Sequence, residues 1–306
     1  MLHINELVIN FHITDNCNYR CRYCYASWEK RPGSAEVWRD PGKCSRLLES
    51  LWGFFNPENR SNPLRQHVRW QFLRLSLAGG EPTLLGPRLA EVVNRARKIG
   101  YRVSLITNGS QLGDHTRTGL FADLSMLGLS VDSSMPSANR SIGRVARTGR
   151  GLSVDDVAAS VEQAKAVNPS LAVKINTVVN AENADEDMSP LIRRVWPHRW
   201  KILRMLPVVS DELAVTSDQF AEFVRRHRAF SPIISVEDNS DMTESYIMVD
   251  PRGRFFQNTS GCGNGYVYSG PIVEIGPAAA FEQIPFSVAK FSGRYGVIGS
   301  QGSAQS

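Results

Sequence analysis

The 306-residue chain has no long apolar run; nothing in it approaches the roughly 20 consecutive apolar residues of a membrane helix. It also lacks a basic start followed by an apolar stretch and a small-residue cleavage site. No secretory leader and no membrane contact are therefore expected, and the expected location is cytoplasmic. Cysteine is scarce. Five is an odd count, and three of the five fall inside eight residues, unlike the paired cysteines of a secreted disulfide framework. No dense Lys/Arg run interleaved with aromatics is present, so a nucleic-acid surface is not favoured. The net charge of +5 and the pI of about 9.0 nevertheless suit an anionic partner, such as a phosphorylated small molecule. There is no internal repeat and no linker-like composition. The length suits one domain with a large core, and 42% hydrophobic with 21% charged residues is ordinary for a globular chain.

Strand and helix patterns alternate about six times along the chain. Residues 7–13 read as a strand, followed by a Cys-bearing loop and a helix over 44–55, with Leu47, Leu48, Leu51 and Phe54 on one face. Further strands are predicted over 72–77, 101–106, 124–131, 171–179 and 200–206. Helices are predicted over 88–99, 153–167, 187–195 and 217–228, with a late hairpin over 245–249 and 254–257. This alternation means parallel β/α units, an α/β barrel or part of one, whose chemistry sits at the carboxyl ends of the strands. The cysteine loop, Gly79-Gly80-Glu81-Pro82, Asn108, Ser130, Lys174, Asn176 and Arg204 fall at or near such ends.

The segment Cys17-Asn-Tyr-Arg-Cys21-Arg-Tyr-Cys24 places three thiolates in one short loop. Three thiolates can hold three irons of a cubane and leave the fourth without a protein ligand, open to a small molecule. A structural zinc site takes four ligands; His12 is the candidate fourth, so zinc and a loop of unrelated thiols are the alternatives. Cys44 and Cys262 stand apart from any cluster.

The CxxxCxxC motif after the first strand, with Tyr23 before the last Cys, resembles the radical S-adenosylmethionine (SAM) superfamily, and Gly79-Gly80-Glu81-Pro82 is similar to its GGEP motif. The resemblance implies a partial (β/α)6 barrel over residues 1–212, a C-terminal extension over 213–299 that closes the substrate site, and a disordered tail over 300–306. It extends to the viperin family. The residues that carry it are Asn10-Phe-His12, Cys17-Asn18-Tyr19, Asn108-Gly109-Ser110, Ser130-Val-Asp132-Ser133 and Ile142-Gly143-Arg144. Lys174-Ile175-Asn176, Glu186-Asp187-Met188, Arg199-Trp200-Lys201, Asn239 and Ser245-Tyr246 continue it.

Membership would imply a [4Fe–4S] cluster on Cys17, Cys21 and Cys24, SAM as cofactor, and an electron donor of flavodoxin or ferredoxin type. The reaction implied converts a ribonucleoside triphosphate, CTP first or else UTP or GTP, into its 3′-deoxy-3′,4′-didehydro analogue. That product terminates viral RNA synthesis. Another phosphorylated small molecule or a peptide is the alternative substrate. By resemblance, Tyr23, Gly79, Gly80, Glu81, Asn108, Ser130 and Arg144 would serve the cofactor, with Glu81 pairing to the SAM ammonium and the glycines admitting SAM. Asn10, Arg74, Lys174, Asn176, Arg199 and Lys201 would serve the substrate, and Lys174 and Tyr246 the chemistry. Arg144 suits either the SAM carboxylate or a phosphate, and Asp132 equally suits a helix cap. Read from alternation alone, Lys174, Asn176 and Val178 share a face of their strand. A Lys and an Asn facing a barrel lumen require anionic or polar company.

Overall fold

The computed structural model describes residues 1–24, 35–113, 118–208, 210–259 and 265–299. Cys262 and the tail over 300–306 lie outside the described residues. The chain opens with β1 (Leu2–Thr14), then α1 (Pro41–Phe55), β2 (Val68–Gly79), α2 (Pro87–Ile99) and β3 (Arg102–Thr107). Next come α3 (Thr118–Ala122), β4 (Met126–Ser130), α4 (Pro136–Ile142), α5 (Val154–Val167) and β5 (Ala172–Val179). They are followed by α6 (Ser189–Val195), β6 (Arg199–Arg204), α7 (Ser217–Arg226), β7 (Ile234–Glu237) and α8 (Asn239–Met242). The chain then forms β8 (Ile247–Val249), β9 (Arg254–Asn258), β10 (Tyr266–Pro271), α9 (Ile272–Ile275), α10 (Pro277–Glu282) and α11 (Val288–Gly299).

Local chemistry sets the boundaries. Asp40 caps α1 by accepting from the Gly42 and Lys43 N–H groups, with Pro41 opening the helix. Ser153 and Asp156 form a capping box on α5. Gly100 ends α2 at φ 125°, and a Cβ there would strike the Trp52 ring at 2.6 Å.

The ten strands of the described residues form one sheet in the order β10-β9-β8-β1-β2-β3-β4-β5-β6-β7. The run from β1 to β7 is parallel throughout, β8 adds in parallel to β1, and β9 and β10 are antiparallel. The predicted alternation is therefore a partial barrel with a seventh parallel strand, β7, that the sequence reading passed over. Its four residues follow Pro232 and fall below the length at which periodicity is legible.

Period-two alternation then sorts the strand residues. Leu7, Ile9, Phe11 and Ile13 of β1, Leu73, Leu75 and Leu77 of β2, Val173 and Ile175 of β5 and Trp200 and Ile202 of β6 are buried in one core with Leu47, Leu48 and Leu51 of α1. Each such side chain contributes roughly 1.5–3 kcal/mol when fully buried. The opposite face carries Asn10, Arg74, Ser76, Ser104, Lys174, Asn176, Arg199 and Lys201. The apolar core thus lies between sheet and helices, and the lumen is polar.

Candidate active site

The loop after β1 carries the cysteines and is gripped from two sides. On one side, Gly80 N–H donates to Thr14 O (2.8 Å) and Glu81 N–H to Asn16 O (2.7 Å). A Cβ on Gly79, at φ 121°, would meet Thr14 O at 2.6 Å, and one on Gly80 would meet Asn16 O at 2.1 Å. On the other side, Arg20 N–H donates to Gly143 O (3.1 Å) and Arg22 N–H to Ile142 O (2.9 Å), while a Cβ on Gly143 would sit 2.2 Å from Arg20 O. The glycines of the GGEP turn therefore lie bare because the cysteine loop lies against them.

Glu81 closes the same turn. Its fully buried carboxylate accepts from Thr83 N–H (3.0 Å), Thr83 Oγ1 (2.6 Å), Thr107 Oγ1 (2.7 Å) and Asn108 N–H (2.6 Å). It ties the end of β2 to the end of β3 rather than facing the open site. Burial raises its pKa, against the hydrogen bonds. Asn108 in turn reaches the cysteine loop, its Nδ2 lying 2.8 Å from Asn18 Oδ1 and 3.9 Å from Cys17 Sγ. We expect Gly80→Ala to lower iron and sulfide per chain after anaerobic loading, because the backbone of Asn16 would have to move. Gly53→Ala, with nothing within 4 Å of the new Cβ, serves as the unaffected reference. Equal iron content in the two variants would show that the close approach is unimportant.

Arg144 lies beside the cysteine loop. Its guanidinium donates to the Ser130 carbonyl and to Tyr23 Oη (3.0 Å), pairs with Asp132 (3.3 Å) and lies 4.0 Å from Cys21 Sγ. Asp132 does not cap α4, whose N-cap is Met135 without a side-chain bond. Instead it accepts from Tyr23 Oη and from Val178 N–H (2.9 Å). Glu186 staples the following loop by accepting from Ser133 Oγ (2.5 Å), Ser134 N–H (2.7 Å) and Ser134 Oγ (2.6 Å).

Cys17, Cys21 and Cys24 are half-buried thiols, none of them in a disulfide. Burial pushes Cys21 up to about 12, against the pull of Arg144, and raises Cys17 as well. Among the described residues no three His, Cys, Asp or Glu side chains converge where a single ion would sit. A cubane takes one thiolate per iron. His12 packs edge-on against Phe256 at 5.0 Å, and burial lowers its pKa to about 4. The donor set fits a [4Fe–4S] cluster with one iron left open.

Deeper in the lumen, register sets Lys174 between Gly128 and Arg199, and Asn176 between Ser130 and Lys201. Asn10 lies between Ser76 and Met248, and Arg74 beside Val8. Lys174 makes no hydrogen bond or ion pair among the described residues. Burial, then the neighbouring Lys201 and Arg74, hold its pKa well below the usual lysine value. Arg74 is 3.4 Å from Glu6. The buried Asn176 Oδ1 and Arg74 Nε lack partners, as expected of a wall shaped for a polar ligand.

Two residues of this wall escaped the sequence reading. Glu237, at the end of β7, pairs with Lys201 (2.6 Å) and Arg294 (3.2 Å) and accepts from Tyr246 Oη. Burial alone would raise Glu237, but Lys201 and Arg294 overcome it and hold it at about 2. Arg294, from α11, lies over the Tyr246 ring at 3.5 Å and donates to Ser245 O (2.8 Å). Tyr246 Oη also accepts from Lys201 Nζ (2.7 Å). The only available signal was an acid closing the β-branched run Ile233-Ile-Ser-Val-Glu237.

Residues 11–195 match the family model described as the Radical SAM superfamily. The chain is 42% identical to an "S-adenosylmethionine-dependent nucleotide dehydratase" of Pseudoalteromonas ulvae, over 96% of this chain and 94% of that protein. It is 41% identical to one from Psychrobacter lutiphocae, with 95% of each covered. A Danio rerio protein described as "S-adenosylmethionine-dependent nucleotide dehydratase RSAD2" is 26% identical over 83% of this chain and 67% of its own. Among solved structures, the fold resembles "Native anSMEcpe with bound AdoMet" at a TM-score of 0.61 and 15% identity, covering 95% of this chain and 83% of that one. The cysteine loop, the barrel around it and these relatives agree: the chain belongs to the radical SAM superfamily and, within it, to the S-adenosylmethionine-dependent nucleotide dehydratases, the viperin family.

Proposed function

We propose that the lumen binds a ribonucleoside triphosphate and that the enzyme dehydrates it to the 3′-deoxy-3′,4′-didehydro analogue. CTP is the first candidate, with UTP or GTP as the others, and the product would act as a chain terminator in antiviral defence. The observation that carries this reading is Lys174, a buried lysine whose surroundings hold Lys201, Arg74 and Arg199 against the single carboxylate of Glu237, which itself pairs with Lys201. An unpaired buried charge is costly, and a polyphosphate is the ligand that repairs the imbalance. When bound, the cluster and SAM supply the electron and the hydrogen-abstracting adenosyl radical.

The chain's own residues do the rest. Arg74, Lys174, Arg199 and Lys201 bind phosphate oxygens, while Asn10 and Asn176 orient the ribose. Arg144, Asn108 and Ser130 shape the SAM side of the lumen, with Tyr23 and Asp132 fixing Arg144. Lys174, depressed in pKa, is suited to hand a proton to the departing 3′-hydroxyl. Tyr246, held between Lys201 and Glu237, is suited to supply a proton late in the reaction. Residues 213–299 contribute Glu237, Tyr246 and Arg294 and so complete the site. The test is anaerobic incubation with SAM, a reductant and each of the four triphosphates, read by mass. Loss of one water from one nucleotide is expected; release of 5′-deoxyadenosine without any altered nucleotide sinks the reading.

A pH dependence follows. Burial lowers Lys201 to about 8 and lowers Lys174 as well. A polyanion favours the protonated lysines, so above pH about 8 binding must be accompanied by proton uptake. Affinity is expected to weaken with rising pH by up to about tenfold per unit for each proton taken up. Calorimetry of CTP binding without reductant, between pH 7 and 9.5 in buffers of different ionisation heat, measures both quantities. A flat profile with no proton uptake would remove the lysines from the binding site.

A further inference from the structure

We propose that the surface over the cysteine loop, marked by Arg20, Arg140 and Arg147, is the docking face for an acidic protein that delivers one electron at a time. The inference rests on the cluster at Cys17, Cys21 and Cys24 and goes beyond it by naming where the electron enters. The cysteine loop is itself part of the surface: Arg20 and Arg22 are exposed, and Asn18 is half-exposed. The guanidinium of Arg20 donates to the carbonyls of Cys17 and Tyr19. The two backbone bonds from Arg20 and Arg22 to Gly143 and Ile142 join this loop to the end of α4, whose last turn carries the exposed Arg140. Beyond it, a turn closed by Ala146 N–H to Arg150 O (2.9 Å) presents Arg147 at its tip.

The charges on this patch are unbalanced. Arg22 is matched by Glu212 and by Glu182 (3.5 Å), and Arg150 by Asp156 (3.3 Å). Among the described residues no carboxylate lies within ion-pair distance of Arg20, Arg140 or Arg147, all of them exposed. The lumen cations face a small ligand, so they do not account for this outward charge. Encounters between redox proteins are small and transient, and opposite charge steers them more than buried area holds them. Arginine forks suit carboxylates. The partner that fits is a small flavin- or iron–sulfur-bearing protein with carboxylates around its prosthetic group. The step balances simply: the donor loses one electron, the cluster gains one, and no bond or proton moves.

The test uses the loaded enzyme and its Arg140→Glu/Arg147→Glu variant, with reduced flavodoxin as the probe donor. Cluster reduction is followed without SAM by stopped-flow absorbance, and SAM cleavage is followed separately. The variant should be reduced by flavodoxin about tenfold more slowly or worse at low salt, with a flattened salt dependence, and should cleave SAM at the wild-type rate when dithionite is the reductant. The Arg140→Gln/Arg147→Gln variant should fall between the two. Unchanged flavodoxin-driven reduction with an unchanged salt dependence would overturn the proposal. So would a loss confined to RNA or anionic-vesicle binding. Failure of the wild-type enzyme to cleave SAM even with dithionite would strike the cluster reading instead.

Discussion

Cys21→Ala is expected to give a folded chain that retains no cubane after anaerobic loading and releases no 5′-deoxyadenosine above background. The thiol is half-buried, 4.0 Å from the Arg144 guanidinium, and does not belong to the large apolar core. Its loss should therefore barely change the stability of the unloaded protein, while removing one of only three thiolate ligands. Cys44→Ala is the informative contrast. Cys44 is buried in the main core on α1, so its truncation should cost about 1–2 kcal/mol and leave iron and sulfide per chain unaltered. Iron analysis beside a urea titration separates the two effects. Full iron content in the Cys21 variant would disprove the assignment.

The second large effect is expected at Asp132. Its carboxylate receives the Tyr23 hydroxyl, the Val178 N–H and the Arg144 guanidinium, and both members of the ion pair are buried. Removing one partner of a buried pair leaves the other charge without compensation, which typically costs about 3–5 kcal/mol. That is a large share of the about 5–15 kcal/mol available to most domains. Asp132→Ala should lose this much in chemical denaturation, and the double variant Asp132→Leu/Arg144→Met should lose distinctly less than the two single changes summed, because it leaves no orphan charge. Additive losses would mean that the pair is not coupled.

Much of this architecture was legible in the chain. The strands β1 to β6 were found because apolar residues alternate along them, and the structure mainly lengthens or trims them at the ends; β1, for example, starts at Leu2. The start of α5 was legible through Ser153, whereas α1 begins at Pro41, ahead of the predicted start at Cys44. The cysteine spacing was readable because three thiols in eight residues have few other uses. What sequence could not give is where a functional group is spent. Nothing local in Gly79-Gly80-Glu81-Pro82 shows that the Glu81 carboxylate accepts four hydrogen bonds from Thr83, Thr107 and Asn108. Asp132 looked equally like a cap because Asp is common there; only the fold brings Arg144 to it. Glu237 and Arg294 come from segments far apart in the chain, and no local pattern links them to Tyr246.

The inverted polarity of the sheet has a further consequence. Apolar cohesion resides outside the strand layer, among Leu, Ile and Phe packed under helices, whereas the inner wall, apart from buried pairs such as Asp132–Arg144, is a polar lining that contributes little to holding the barrel together. Exchanges such as one amide for another at Asn10 or Asn176 are therefore expected to leave the packing of the scaffold intact. A lineage built this way can accept inner-wall replacements one at a time, each tolerated on arrival, while its outer shell stays fixed by packing.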